Sequence, residues 1–147
     1  MRTSIVRSAY IASAVVAMLI GGCVAPPQAV PASTAIRKTT FSGRNLNVWY
    51  FYAVQVDCTT AGLPTVWVTS APSHGSVEIQ NVERFTEYPA TNPRVECNKK
   101  KSPSVDVVYT SGKAFVGVDK FTVKCVFPSG DVQTKEFLIT VEQPPQA

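Results

Sequence analysis

His74 is the single histidine of this chain, and it lies in the run Ala71-Pro72-Ser73-His74-Gly75-Ser76-Val77. A hydroxyl nucleophile would have to be assembled from Ser73 or Ser76, this imidazole and a distant aspartate. Nucleophile, base and orienting acid are defined by geometry, and adjacency in sequence does not supply it. His74 and Gly75 are therefore expected to serve turn architecture, and no residue is assigned a catalytic role. Zinc wants cysteines or histidines at short paired spacing. Here Cys58, Cys97 and Cys125 are scattered with no C-x-x-C pair. Calcium wants clustered oxygen ligands, whereas Asp57, Asp106, Asp119 and Asp131 stand apart along the chain. A glycine-rich phosphate loop is also missing. The expectation is a protein that is not an enzyme and carries no metal or cofactor.

Two stretches retain chemistry of another kind. Arg94, Lys99, Lys100 and Lys101 concentrate positive charge in one proline-bearing loop. Such a tip suits lipopolysaccharide phosphates, anionic lipid or an acidic partner protein, and otherwise simply solubilises the loop. The run Val48-Trp49-Tyr50-Phe51-Tyr52-Ala53-Val54 is apolar throughout. It cannot leave one face wet, so its strand is expected to be central in a sheet or to meet a partner across Trp49, Tyr50, Phe51 and Tyr52.

The N-terminus bears on both. Arg2 and Arg7 precede an apolar run over residues 10–20 and the small residues Gly21 and Gly22, the pattern of a secretory signal. Ile20-Gly21-Gly22-Cys23 resembles the bacterial lipobox. The resemblance implies cleavage before Cys23 and diacylation of its sulfur, hence a membrane anchor; an ordinary cleaved signal is the alternative. The chain carries 14 Lys and Arg against 10 Asp and Glu. Without Arg2 and Arg7 the count is 12 against 10, a formal +2. That is too even for a nucleic-acid-binding face, and this class is excluded. In an oxidising compartment Cys58, Cys97 and Cys125 allow one disulfide and one free thiol. Cys125 shares a strand face with Phe121, Val123 and Phe127 and reads as a small core hydrophobe. Cys58 ends a strand and Cys97 lies in a loop, which favours Cys58–Cys97, with Cys58–Cys125 as the alternative. Closing a loop of about 39 residues is worth about 4 kcal/mol on the chain-entropy model.

Those residues need elements to hold them. Residues 24–38 contain three prolines and no periodicity and read as a tether. Residues 45–57 and 65–70 read as strands. Residues 76–80 and 82–88 read as a hairpin bending near Asn81. The long loop 89–103 is expected to be pinned through Cys97. Residues 105–110 and 121–127 alternate apolar with polar positions, so each buries one face. They read as a buried hairpin reversing around Gly117 and Asp119, and 132–141 closes the fold. About seven short strands punctuated by proline and glycine predict an all-β sandwich. The expected division is a lipoprotein signal peptide at 1–22, a lipidated tether at 23–38, the sandwich at 39–143 and a frayed tail at 144–147.

Three motifs in order, Pro72-Ser73-His74-Gly75-Ser76-Val77, Val107-Val108-Tyr109 and Gly117-Val118-Asp119-Lys120-Phe121, resemble those of bacterial Ig-like repeats of cadherin-like type. The resemblance covers residues 65–141 and implies an Ig-like antiparallel β-sandwich in which Asp119 braces a turn. It points to a small single-domain exported lipoprotein whose domain binds an envelope protein or glycan or serves a structural role. The alternatives are an accessory subunit of a secretion or adhesion machine, and a cell-wall hydrolase, which would need two convergent titratable groups. Val24 after the lipidated cysteine resembles enterobacterial sorting to the outer membrane, facing the periplasm.

Overall fold

The computed structural model describes residues 34–146. The signal peptide expected at 1–22, the lipidation expected at Cys23 and most of the expected tether lie outside the described residues. Seven strands follow in order: β1 Ile36–Phe41, β2 Asn45–Tyr52, β3 Thr65–Ser70, β4 Gly75–Phe85, β5 Lys101–Ser111, β6 Gly117–Val126 and β7 Val132–Glu142. A single 3-10 turn, Val95–Lys99, interrupts the β4–β5 connection.

The strands form two sheets, β1-β7-β6-β3 and β2-β5-β4. With strands lettered A to G in chain order, B-E-D faces G-F-C. This is the immunoglobulin-type order, with the first strand moved to the edge of the second sheet. All pairings are antiparallel except β1 with β7, which is parallel from Ile36↔Phe137 to Phe41↔Glu142. The expected alternation sets the core. Val107 and Tyr109 of β5 point inward against Phe121, Val123 and Cys125 of β6 and Phe137, Ile139 and Val141 of β7, and Val105 is buried as well. Tyr109, Phe121 and Phe137 stack in series, with ring centroids 5.8 and 4.9 Å apart. Such offset stacking adds about 0.5–1.5 kcal/mol per pair beyond area burial.

Four expectations are corrected. Residues 103–127 are not a hairpin, because β5 is the centre of one sheet and β6 belongs to the other. Alternation tells which face of a strand is buried. It does not tell whether two buried faces lie side by side or face each other across a core. The bend at Asn81 is absent: β4 runs straight through it in an unbroken register with β5, from Gly75↔Ser111 to Phe85↔Lys101. A long ladder outweighs one residue's turn preference. The domain begins at Ile36 rather than Thr39, since residues 36–38 of the expected tether are zipped to β7. Finally, of the two alternatives expected for β2 the central place is excluded, because it is an edge strand. A bulge between Asn47 and Trp49 lets Val48 and Trp49 both lean toward the core. Phe51 follows them inward, edge-on to Phe127 at 6.1 Å, while Tyr50 and Tyr52 take the outer face.

Candidate functional site

The three motifs meet at one end of the sandwich. Asp119, at the start of β6 and 3% exposed, accepts hydrogen bonds from the backbone N–H groups of Ser73 (2.9 Å), His74 (3.0 Å) and Lys120 (3.0 Å). It also accepts one from the Tyr109 hydroxyl at 2.9 Å. Burial disfavours its charge, but these four donors outweigh burial and hold the carboxyl below its ordinary range. Burial and the bond to Asp119 together raise the Tyr109 phenol. Gly75 lets β4 pass this point, since a Cβ there would lie 2.6 Å from both the Tyr109 ring and the Thr110 carbonyl oxygen. Gly117 adopts φ +143°, a conformation open to glycine. The His74 imidazole stacks on Phe115 at 4.1 Å and keeps its Nδ1 4.0 Å from Asp119. Asp119 thus ties the β3–β4 turn to β5 and β6. Its lone pairs are directed at backbone amides and a phenol.

The basic loop is built into the fold. Cys58 and Cys97 form a disulfide, as the loop-to-loop argument expected, and Cys125 is free and fully buried. Arg94 donates through Nε to the Val54 carbonyl at 2.7 Å, so its charge braces the segment after β2. Asn98 accepts from Thr86 Oγ1 and Tyr88 N, each at 2.9 Å, and returns a bond from Nδ2 to the Tyr88 carbonyl. Lys99 pairs with Glu96 at 2.5 Å. Lys100 lies near enough to Asp57 to favour that carboxylate. Lys101 opens β5, with Nζ 5.7 Å from the Phe85 ring. Each of the four charges of the candidate partner-binding loop thus has a different local neighbour.

Convergence occurs instead along β2. On the outer face, Tyr50 lies opposite Asp106 and Tyr52 opposite Ser104. Arg84 of β4 clasps Asp106 with two bonds, Nε to Oδ1 at 2.8 Å and Nη2 to Oδ2 at 3.0 Å, and Asn47 Nδ2 donates to the same carboxylate. The Arg84 guanidinium also lies 4.6 Å from the Tyr50 ring centre. Burial and a hydrogen bond to Glu87 push the Tyr50 phenol up to about 12. Tyr88 meets Tyr52 edge-on at 5.3 Å, and Tyr52 accepts from the Glu87 N–H at 3.1 Å. On the inner side, Lys135 of β7 caps the Trp49 ring at 4.4 Å. Between β2 and the opposite sheet lies an open cleft of about 530 Å³, within the range of ligand sites. It is walled by residues 47–52 on one side and by Lys38, Phe127 and Gln133 on the other.

Of the interface strand read from sequence, Trp49, Tyr50 and Tyr52 border this cleft with partly exposed side chains, whereas Phe51 is core. Arg84, Asp106, Glu87, Lys38 and Lys135 were missed as neighbours. A charged residue such as Asp106 inside an apolar strand was the available signal, but its partner lies 22 residues away in sequence. Among the described residues, no group of three His, Cys, Asp or Glu side chains is placed to hold a metal ion. The chain matches no protein-family model, and no curated protein is significantly similar to it.

Proposed function

We propose that this chain is a non-catalytic, exported lipoprotein whose Ig-like sandwich binds a protein or glycan partner in the cell envelope. The cleft along β2, an aromatic strand edge facing lysines of the opposite sheet, is the observation that carries the reading. A disulfide-braced domain behind a lipobox-like Cys23 supports export to an oxidising compartment. Membrane attachment through Cys23 and an outer-membrane, periplasm-facing location follow from the same reading. The motif cluster around Asp119 supports the Ig-like assignment, because its three segments lock one another in place.

The test has two arms. Cys23→Ser should release the protein from the membrane fraction, and unchanged attachment would defeat the lipoprotein reading. A photo-crosslinker placed at Gln133, on the cleft wall, should capture a discrete envelope component that the same probe at Glu83 on β4 does not. Identical adducts at both positions would remove the cleft from the proposal.

A further inference from the structure

We infer that the free edge of β2 takes up an extended peptide of alternating acidic and apolar residues as an added strand. This rests on the cleft being the binding site and names the chemistry of its ligand. Among the described residues β2 pairs with β5 and with no strand on its other side. Six successive residues, 47–52, line the cleft, so the opening runs along the backbone edge. Every second residue of an unpaired edge directs its N–H and C=O outward, ready for another strand. Natural edges are commonly blunted by lysine, other charges or proline, or by a bulge, and only the last occurs in β2, at its N-terminal half. The sequence of β2, NLNVWYFY, has no charged residue and no proline. Its bulge after Asn47 leaves Trp49 to Tyr52 as the regular part.

The aromatic rings argue against a sugar. A glycan site offers an open ring face to the C–H face of a sugar. Here the Trp49 face lies under Lys135, the Tyr50 face under Arg84, and Tyr52 abuts Tyr88. What stays available is the strand edge itself.

Charge sets the ligand's pattern. Side chains of an added strand would alternate between the two faces of the sheet. Those on the inner side would meet Lys38 of β1, which lines the cleft, and approach Lys135 of β7, which lies over Trp49. Lys38 shares the inward register of Ile139, and Lys135 that of Val123. Those on the outer side would lie beside Tyr50 and Tyr52. Glu87 also borders the cleft, but its carboxylate is engaged by the Tyr50 phenol. Acidic side chains inward and apolar ones outward satisfy both walls.

The experiment measures binding of fluorescent, end-blocked Glu-Val-Glu-Val-Glu-Val to the full chain in detergent micelles, by anisotropy. Two further peptides carry N-methyl groups on alternate amides, one set on the glutamates and the other on the valines. Strand addition requires one N-methylated series to lose binding and the other to keep it, because only alternate amides face β2. Lys38→Glu with Lys135→Glu should weaken the parent peptide about tenfold, and a Lys-Val peptide should not bind. Equal binding of both N-methylated series, or indifference to the lysine reversals, would overturn the inference. Failure of the peptide while an envelope oligosaccharide quenches Trp49 would overturn it and leave the cleft as a binding site. Failure of both, or edge-to-edge dimerisation of the chain without peptide affinity, would overturn it as well.

Discussion

Replacing Asp119 by alanine should be among the most damaging single changes in the domain. The carboxylate serves four donors, and only one, the Tyr109 hydroxyl, is held in the core. Orphaning a buried hydroxyl costs about 1–3 kcal/mol, and the turn amides of Ser73 and His74, near enough to the surface to recruit water, add about 0.5–1 each. The sum is about 2–5 kcal/mol. Tyr109→Phe removes one bond to a charged acceptor and should cost about 1.5–2 kcal/mol. The double variant should then be no less stable than Asp119→Ala alone, because the hydroxyl it deletes has already lost its acceptor. Urea unfolding of the four proteins at pH 7, with unchanged m-values, measures this cycle. The folded-state pKa of Asp119 is depressed, so its contribution is present above the unfolded value of 3.8 and is lost as pH falls through the lower folded value. The coupling should therefore persist at pH 5 and fade in strong acid. Additive single effects, or a loss below about 1 kcal/mol for Asp119→Ala, would refute the bracing role.

The basic loop and the free cysteine give two simpler tests. Arg94→Ala, which strips the Val54 carbonyl of a charged donor, should lower stability by about 1–2 kcal/mol. Lys99→Ala, which breaks an exposed pair, should change it by less than about 0.5; thermal melts that rank them in the opposite order would contradict the placement of these charges. Burial pushes the Cys125 thiol up to about 11, so it should resist maleimide at neutral pH in the native protein and react at once in denaturant. Native labelling at the rate of an exposed thiol would place it elsewhere.

The inward faces of β5, β6 and β7 were legible because a period of two needs nothing beyond the strand itself. Cys125 was placed on the same grounds, and Cys58–Cys97 followed from both residues sitting outside strand interiors. Partner choice was not legible. Nothing in residues 36–38 foretells a parallel partner about a hundred positions later at Phe137 to Ile139. The apolar run of β2 suggested a central strand because a bulge, which places two neighbours on one face, breaks the alternation rule without a mark in the sequence. The cleft was hidden for the same reason. Its aromatic wall is contiguous in sequence, but Lys38 and Gln133 reach it, and Lys135 reaches Trp49, from strands whose order in the sheet had to be known first.

The parallel zipper of β1 and β7 also determines how the domain bears mechanical load. A pull that draws the N-terminus and C-terminus apart acts on opposite ends of this ladder, along the strands rather than across them. The register pairs from Ile36↔Phe137 to Phe41↔Glu142 then share the tension together and do not peel open in turn. Forced unfolding is governed by the height of the unfolding barrier, and loading the whole ladder in shear raises it. A domain held at one end and tugged at the other would keep its shape until that ladder failed as a unit.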